Sequence, residues 1–463
     1  MRNLILGVLL SVLGFSAPAR GLAPRPADSP RPLVSPAQLQ AEYWIKRLPR
    51  QHKTPVLDRR AIAAQNARLQ LLDHSVFDVE ALPATLHAEQ VRAWIDGLSE
   101  LPTVTVWDEF GVEVDKTTLS ALRDSLQLDA LPAVQSARFG LVTARADLRT
   151  FPTRLRVFSS RGDTDIDRFQ ESALFPGTPV LIAHESLDHQ WWFVVSPSYA
   201  AWLEKDRVAE GPKALVFDYT RKSPSLVITG ATERTVYTPE LPAVSQLQLD
   251  MGVRLPLLAD WPANQPVNGQ NPSTAHVVEL PLRDPDGSLR LVPALLPRTA
   301  DVQTHYLPLQ PASILRQGFK FLGERYGWGH DYDARDCSGF VSEVYRSFGV
   351  RLPRNTRDQG VSPALNRLAF TETSDRAMRL AAVRSLRVGD LIYIPGHVMM
   401  VIGFDRGQPY VIHDTTGTSL RDGNGGLARV VLNGVSVTPL LPLMFNQTQT
   451  YVDRMYSIQR IRP

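Results

Sequence analysis

Cysteine occurs once in this chain, at Cys337, and two of the ten histidines, His397 and His413, follow it in order. A thiol becomes a working nucleophile when a base takes its proton and a third group orients that base. Asp336-Cys337-Ser338-Gly339 leads into Phe340, Val341, Val344, Tyr345 and Phe348, apolar residues at helical spacing, with Gly349 as a stop. This spacing predicts a helix that starts at Cys337. Free amides and the dipole at a helix start stabilise negative charge, so a thiol of lowered pKa is expected there. The Cys337 N–H is also an oxyanion donor; no second donor is legible. A small core cysteine is the plainer alternative, but the apolar stripe runs through the other residues of the helix.

His397 follows Pro395-Gly396 and opens the apolar run His397-Val-Met-Met-Val-Ile. His413 lies in Tyr410-Val-Ile-His-Asp, the next such run. One imidazole can orient another through a single hydrogen bond. Either histidine alone is more simply a satisfied structural residue. Cysteine, histidine and histidine arriving on helix, strand and strand make Cys337 the nucleophile, His397 the base and His413 its orienter. The other titratable clusters are blander. His184 and His189 flank Asp188 without a third ligand, and Asp331, Asp333 and Asp336 fail the spacing of a calcium loop. No metal and no cofactor are expected.

The elements that position these residues differ along the chain. Proline-rich sequence to about Pro55 resembles a linker, with a short helix over 37–48. Helical spacing recurs over 61–71, 87–97 and 117–126, so 20–150 reads as a linker and a mainly helical region. Short β-rich runs such as Trp191-Trp-Phe-Val-Val then alternate with turns, and two small barrels are expected, over 151–210 and 211–298. No clear repeat relates them. Residues 299–463 read as a helix followed by antiparallel strands, an α+β unit.

The bulk numbers exclude some functions. With 50 basic and 47 acidic residues, the net charge of +3 gives no electrostatic case for a nucleic-acid partner. Arg2, the apolar run Leu4 to Phe15 and Ala17-Pro18-Ala19 read as a signal peptide over 1–19, with an uncleaved anchor as the alternative. No cysteine follows that run, so no lipid anchor is expected, and no later segment reaches the roughly 18 apolar residues of a membrane span. A periplasmic or secreted protein without stable membrane insertion is expected. A single cysteine permits no internal disulfide there. Oligomeric state is not legible.

Five motifs in order then carry a resemblance: Tyr326-Gly-Trp-Gly329, Asp336-Cys-Ser-Gly-Phe340, Val388-Gly-Asp-Leu391, Gly396-His-Val398 and Ile412-His413. This set resembles the NlpC/P60 cysteine peptidases. Upstream, Asp167 to Leu174, Pro176 to Pro179, Trp191-Trp192 and Ser198 to Trp202 are similar to a bacterial SH3 (SH3b) domain. Leu226 to Gly230 and Leu249 to Gly252 are similar to a second one, and 55–150 resembles the stabilising domain that accompanies them. Ala201 stands where the family often has glycine before the tryptophan, which affects the loop near Tyr199.

The resemblance implies a papain-like core that cleaves murein stem peptides between γ-D-glutamate and a diamino acid. It implies that the first SH3b domain closes the cleft and selects peptides with a free N-terminal L-alanine. It implies that Asp336 and Tyr199 contact the amine, that Ser338 contacts the peptide backbone, and that Tyr326 and Trp328 line the substrate site. Ordinary turn packing is the alternative for Tyr199. For the whole chain the alternatives are a murein-binding protein without turnover, and an amidase or acyltransferase on the same fold.

Overall fold

The computed structural model describes residues 33–50 and 53–462. The expected signal peptide, 1–19, lies outside the described residues. Among the described residues no helix is long and apolar enough to cross a membrane.

The expected helices form at Ala41–Ile45, Arg59–Leu72, Ala88–Asp96 and Lys116–Ser125. Two start at aspartates whose side chains accept a first-turn amide, Asp58 from Ala61 at 2.8 Å and Asp115 from Thr118 at 2.7 Å. Such caps satisfy donors that the helix itself leaves free. The stretch read as a linker differs from expectation, because it is tied to the C-terminal unit. Trp44 is 1% exposed and its ring lies 5.1 Å from that of Tyr410. Tyr43 and Gln38 both donate to Asp405. Proline content concealed this, since one buried tryptophan can anchor an irregular segment.

The first β-rich unit is a seven-stranded antiparallel sheet in the order Gln170–Leu174, Ala146–Arg149, Ala200–Glu204, Trp191–Val195, Pro179–Glu185, Arg138–Val142, Val208–Gly211. It takes in two strands before residue 151, where the sequence sets the boundary. Those strands carry charges among their apolar residues and so lack a clear signal. Trp191–Val195 is buried throughout, and period-two alternation sends its residues to two cores. Trp191, Phe193 and Val195 join the N-terminal helices through Val91, Ile95 and Leu122. Trp192 and Val194 point the other way, onto Leu148, Ile182 and Leu203.

The second β-rich stretch has its own core, including Leu226, Leu249, Leu255, Val278 and Leu296. Its strands make one three-stranded sheet and two two-stranded ones rather than one continuous sheet. The longest pairing joins Ala275–Arg283 to Leu289–Pro297 across the turn Asp284 to Gly287.

In the C-terminal unit, helices Pro311–Phe319 and Cys337–Arg346 pack on a six-stranded antiparallel sheet. The central strands run Leu391–Ile394, His397–Asp405, Gln408–Arg421 and Leu427–Pro439 in spatial order. Val398, Met400, Ile402 and Ile412 face Phe340, Val341 and Val344 of the helix. Met399, Val401 and Val411 face a second apolar layer with Val383, Leu386 and Leu440. This alternation fixes the strand register, because a one-residue slip would exchange the two faces.

Candidate active site

Cys337 is the first residue of its helix, and Asp336 is the N-cap, its carboxylate accepting the Gly339 N–H at 2.7 Å. The Asp336 carboxylate is fully engaged. Arg354 Nη2 donates to it at 2.8 Å, Ser338 Oγ at 3.1 Å and the Gly329 N–H at 3.1 Å. Arg354 also donates to Ser338 Oγ at 2.8 Å and to His330 Nδ1 at 2.9 Å. One buried arginine therefore fixes the residues on either side of the nucleophile.

The thiol itself meets Thr356 Oγ1 at 3.5 Å and the backbone N–H of Val398, the neighbour of His397. His397 Nε2 lies 2.7 Å from His413 Nδ1, and His413 Nε2 lies 2.9 Å from Thr438 Oγ1. Strand pairing brings these residues together, since Gln408–Arg421 sits between the strands of His397 and Thr438. One imidazole supplies the proton shared by the two rings, while Thr438 Oγ1 can donate to or accept from His413 Nε2. With Nε2–H of His397 donating to His413, its Nδ1 is the nitrogen left to take a thiol proton.

Two grooves meet at this point. One, of about 290 Å³, is lined by Cys337, Asp336, Ser338, Thr356 and Gly396 and by Gln170 and Glu171 of the first β-rich unit. The other, of about 370 Å³, is lined by His397 and the segment Thr415 to Ser419. Tyr326, Trp328 and Gly396 line both. The first β-rich unit thus supplies part of the groove lining. Trp328 Nε1 donates to the Gln170 carbonyl at 3.1 Å, and Gln170 Nε2 donates to the Gly329 carbonyl at 2.9 Å. Gly329 has φ 57°, and a Cβ there would stand 2.8 Å from the Gln170 carbonyl oxygen, so the close approach requires glycine.

Residues 323–432 match the NlpC/P60 family, and residues 156–204 match an SH3 domain of the SH3b1 type. The chain carries an NlpC/P60 domain. No curated protein matches the chain. Among solved structures it is similar to an NlpC/P60 endopeptidase from Photobacterium damselae subsp. piscicida, at 15% identity and TM-score 0.70 over 90% of this chain and 96% of that one. An NlpC/P60 family protein from Bacillus cereus ATCC 10987 matches at 19% identity and TM-score 0.47 over 70% of this chain and all (100%) of that one. At 15% identity the first likeness is one of fold.

Electrostatics at the NlpC/P60 site depart from one expectation. Burial pushes the Cys337 thiol up to about 12, the Asp336 charge adds to this, and Thr356 and the Val398 amide offset it only in part. Burial likewise lowers His397 to about 4 and His413 well below the ordinary imidazole range. The thiol lowered by its helix start is therefore not what the structure shows. Cys337 is 6% exposed, and a buried thiolate loses more hydration than the first-turn amides return. Both shifts favour the neutral thiol and the neutral imidazole over the ion pair. Burial would also raise Asp336, but Arg354, His330 and the Gly339 amide outweigh it and hold the carboxyl at about 2.

Of the residues expected at the substrate site, Asp336, Ser338, Tyr326 and Trp328 line the groove with Cys337. Tyr199 stands behind it, donating its hydroxyl to Glu171 at 2.5 Å. Glu171, which accepts also from Thr150 at 2.6 Å, is the acid that reaches the groove from that wall. Glu171, Arg354, Thr356 and Thr438 were not legible as site residues in the sequence. The Pro-Arg pair after the nucleophile helix was a cue for Arg354; nothing in the spacing marks the others. Asp331 and Asp333 pair with Arg156 and Arg145 across the domain contact. His184 bonds the Leu126 carbonyl at 3.0 Å and His189 pairs with Glu185, so these two histidines do not converge.

Proposed function

We propose that the protein is a periplasmic or secreted cysteine peptidase that cleaves murein stem peptides. The bond is the one between γ-D-glutamate and a diamino acid such as diaminopimelate, in peptides with a free N-terminal L-alanine. One observation carries the reading: the hydrogen-bonded pair His397–His413 follows the helix-start Cys337, whose groove Glu171 also lines. NlpC/P60 and SH3b domains in one chain support a cell-wall peptide as substrate. We take 211–298 as a second SH3b domain and the catalytic core as papain-like.

In this mechanism Cys337 Sγ attacks the γ-D-glutamyl carbonyl carbon as His397 Nδ1 takes the thiol proton. His413 accepts the Nε2–H of His397 and so stabilises the imidazolium that forms. The Cys337 N–H, free at the helix start, donates to the oxyanion. The C–N bond breaks as the imidazolium protonates the leaving amine. Water, deprotonated by His397, then attacks the thioester and releases the acid and the thiol. A neutral resting pair makes proton transfer part of the attack itself.

On this reading the first β-rich unit closes one end of the groove, and Glu171 receives the ammonium of the N-terminal alanine with Tyr199 orienting its carboxylate. Asp336 contributes its charge there, although its oxygens are engaged by Arg354 and backbone amides. A wall at this end fits short released peptides rather than glycan-linked ones. The test is incubation with L-Ala-γ-D-Glu-diaminopimelate and with its N-acetylated form. Release of diaminopimelate from the first and little from the second is expected; equal release from both contradicts the amine site.

A further inference from the structure

The groove on the far side of the nucleophile has a charge pattern that the wall at Glu171 does not explain. Its walls run from Ile394 and Pro395 past His397 to the hydroxyl-bearing segment Thr415 to Ser419, with Phe445 and Tyr451 as apolar cover. Among the described residues Arg429 is the one Lys, Arg, Asp or Glu side chain that lines it. Arg429 lies opposite Ser419 on the paired strand, so sheet register sets where its side chain starts. Its guanidinium is exposed, and it has no hydrogen-bond or ion-pair partner among the described residues. Most arginines around this site are spent: Arg354 on Asp336, Arg335 on Glu343 and Asp250, Arg145 on Asp333. Arg429 is free.

We infer that Arg429 binds the free α-carboxylate of the leaving residue, and that the enzyme prefers peptides in which this residue is C-terminal. The inference rests on the peptidase reading above. His397 must protonate the leaving amine, so the leaving residue lies in the groove that His397 lines. A diamino acid at the end of a peptide carries a carboxylate one bond from that amine's carbon. A guanidinium is suited to it, because its planar donors match both carboxylate oxygens. The apolar cover suits the methylene stem of such a residue. Glu171 at one end and Arg429 at the other then make the cleft complementary to a short zwitterionic peptide, with an ammonium and a carboxylate on opposite sides of the scissile bond.

The experiment compares L-Ala-γ-D-Glu-diaminopimelate with the same peptide amidated at the α-carboxylate of the leaving residue, for the parent enzyme and for Arg429→Gln and Arg429→Lys. The parent is expected to favour the free acid in kcat/KM by about tenfold or more, the effect of a charge-assisted hydrogen bond. Arg429→Gln is expected to lose that preference while cleaving the amide within about twofold of the parent, which serves as the folding control. Arg429→Lys should keep part of it, and added salt should erode it because the site is exposed. A parent without preference, or an Arg429→Gln enzyme that retains it, overturns the inference and leaves the peptidase reading intact. No turnover of either peptide by the parent removes that reading and this inference with it.

Discussion

His397 Nε2 lies 2.7 Å from His413 Nδ1, and the other nitrogen of His413 is held by Thr438 Oγ1 at 2.9 Å. This chain of bonds orients His397 from two strands away. Thr438→Val removes its last link without removing either imidazole. One hydrogen bond is worth about 0.5–1.5 kcal/mol, which corresponds to a fall in kcat of about two- to tenfold. KM should hardly move, because Thr438 lines neither groove. Steady-state release of the diamino acid measures both constants. An unchanged kcat would mean that His413 orients His397 without help from Thr438.

Burial raises the Cys337 thiol to about 12 and lowers His397 to about 4, which favours the neutral pair over the ion pair. Alkylation of Cys337 by iodoacetamide should therefore be slow at pH 7. Its rate should rise about tenfold per pH unit across pH 7 to 9, as thiolate forms. A rate already flat from pH 6 upward would indicate a preformed thiolate and contradict the neutral pair.

The contrast shows what the sequence could carry. Order and residue type singled out Cys337, His397 and His413, and the helix start and paired strands expected for them form as read, because strand alternation and helix spacing repeat over many residues and tolerate local error. The three central strands and the nucleophile helix were legible for the same reason. The thiol's protonation was not, since it depends on how deeply the first turn is buried, and that is set by packing from Val398 and Thr356 far along the chain. Trp44 is similar: its anchorage on Tyr410 lies in a proline-rich stretch with no periodicity to read. Glu171 and Arg354 reach the site through a domain contact and a single loop, and neither leaves a pattern in spacing.

Glu171 accepts from Tyr199 at 2.5 Å and from Thr150 at 2.6 Å, which aims its carboxylate at the groove. Glu171→Gln keeps the shape and removes the charge. A hydrogen bond to a charged group is worth about 1.5–3 kcal/mol, so kcat/KM for a peptide with a free N-terminal amine should fall about 10- to 100-fold. The N-acetylated peptide, which the parent cleaves poorly, should lose nothing. Equal losses on both peptides would assign Glu171 to holding the wall rather than to the amine.

Asp414 follows His413 and is fully buried, and among the described residues its carboxylate has no well-formed hydrogen bond, the neighbouring Thr415 amide giving only a weak contact. Burial, with the charges of Asp336 and Glu324, raises its carboxyl well above the ordinary range, and Arg335 and the Thr415 amide offset this in part. A folded carboxyl that binds its proton more tightly than the unfolded chain loses stability as pH rises above the unfolded value. Asp414→Asn should therefore raise stability at pH 7 to 8, by about 1–3 kcal/mol for relief of a buried unsatisfied charge. The gain should vanish below about pH 4, where the unfolded aspartate is protonated too. Thermal melts at both pH values measure this, and a variant that is less stable at pH 8 would mean that the carboxylate has a partner in solution.

The most direct test of the central claim is mass-spectrometric detection of diaminopimelate after incubating L-Ala-γ-D-Glu-diaminopimelate with the parent protein and with Cys337→Ala. Release by the parent is expected, with L-Ala-γ-D-Glu as the co-product, and none above background by Cys337→Ala. Release by Cys337→Ala at the parent's rate, or an intact peptide with both proteins, would contradict that claim.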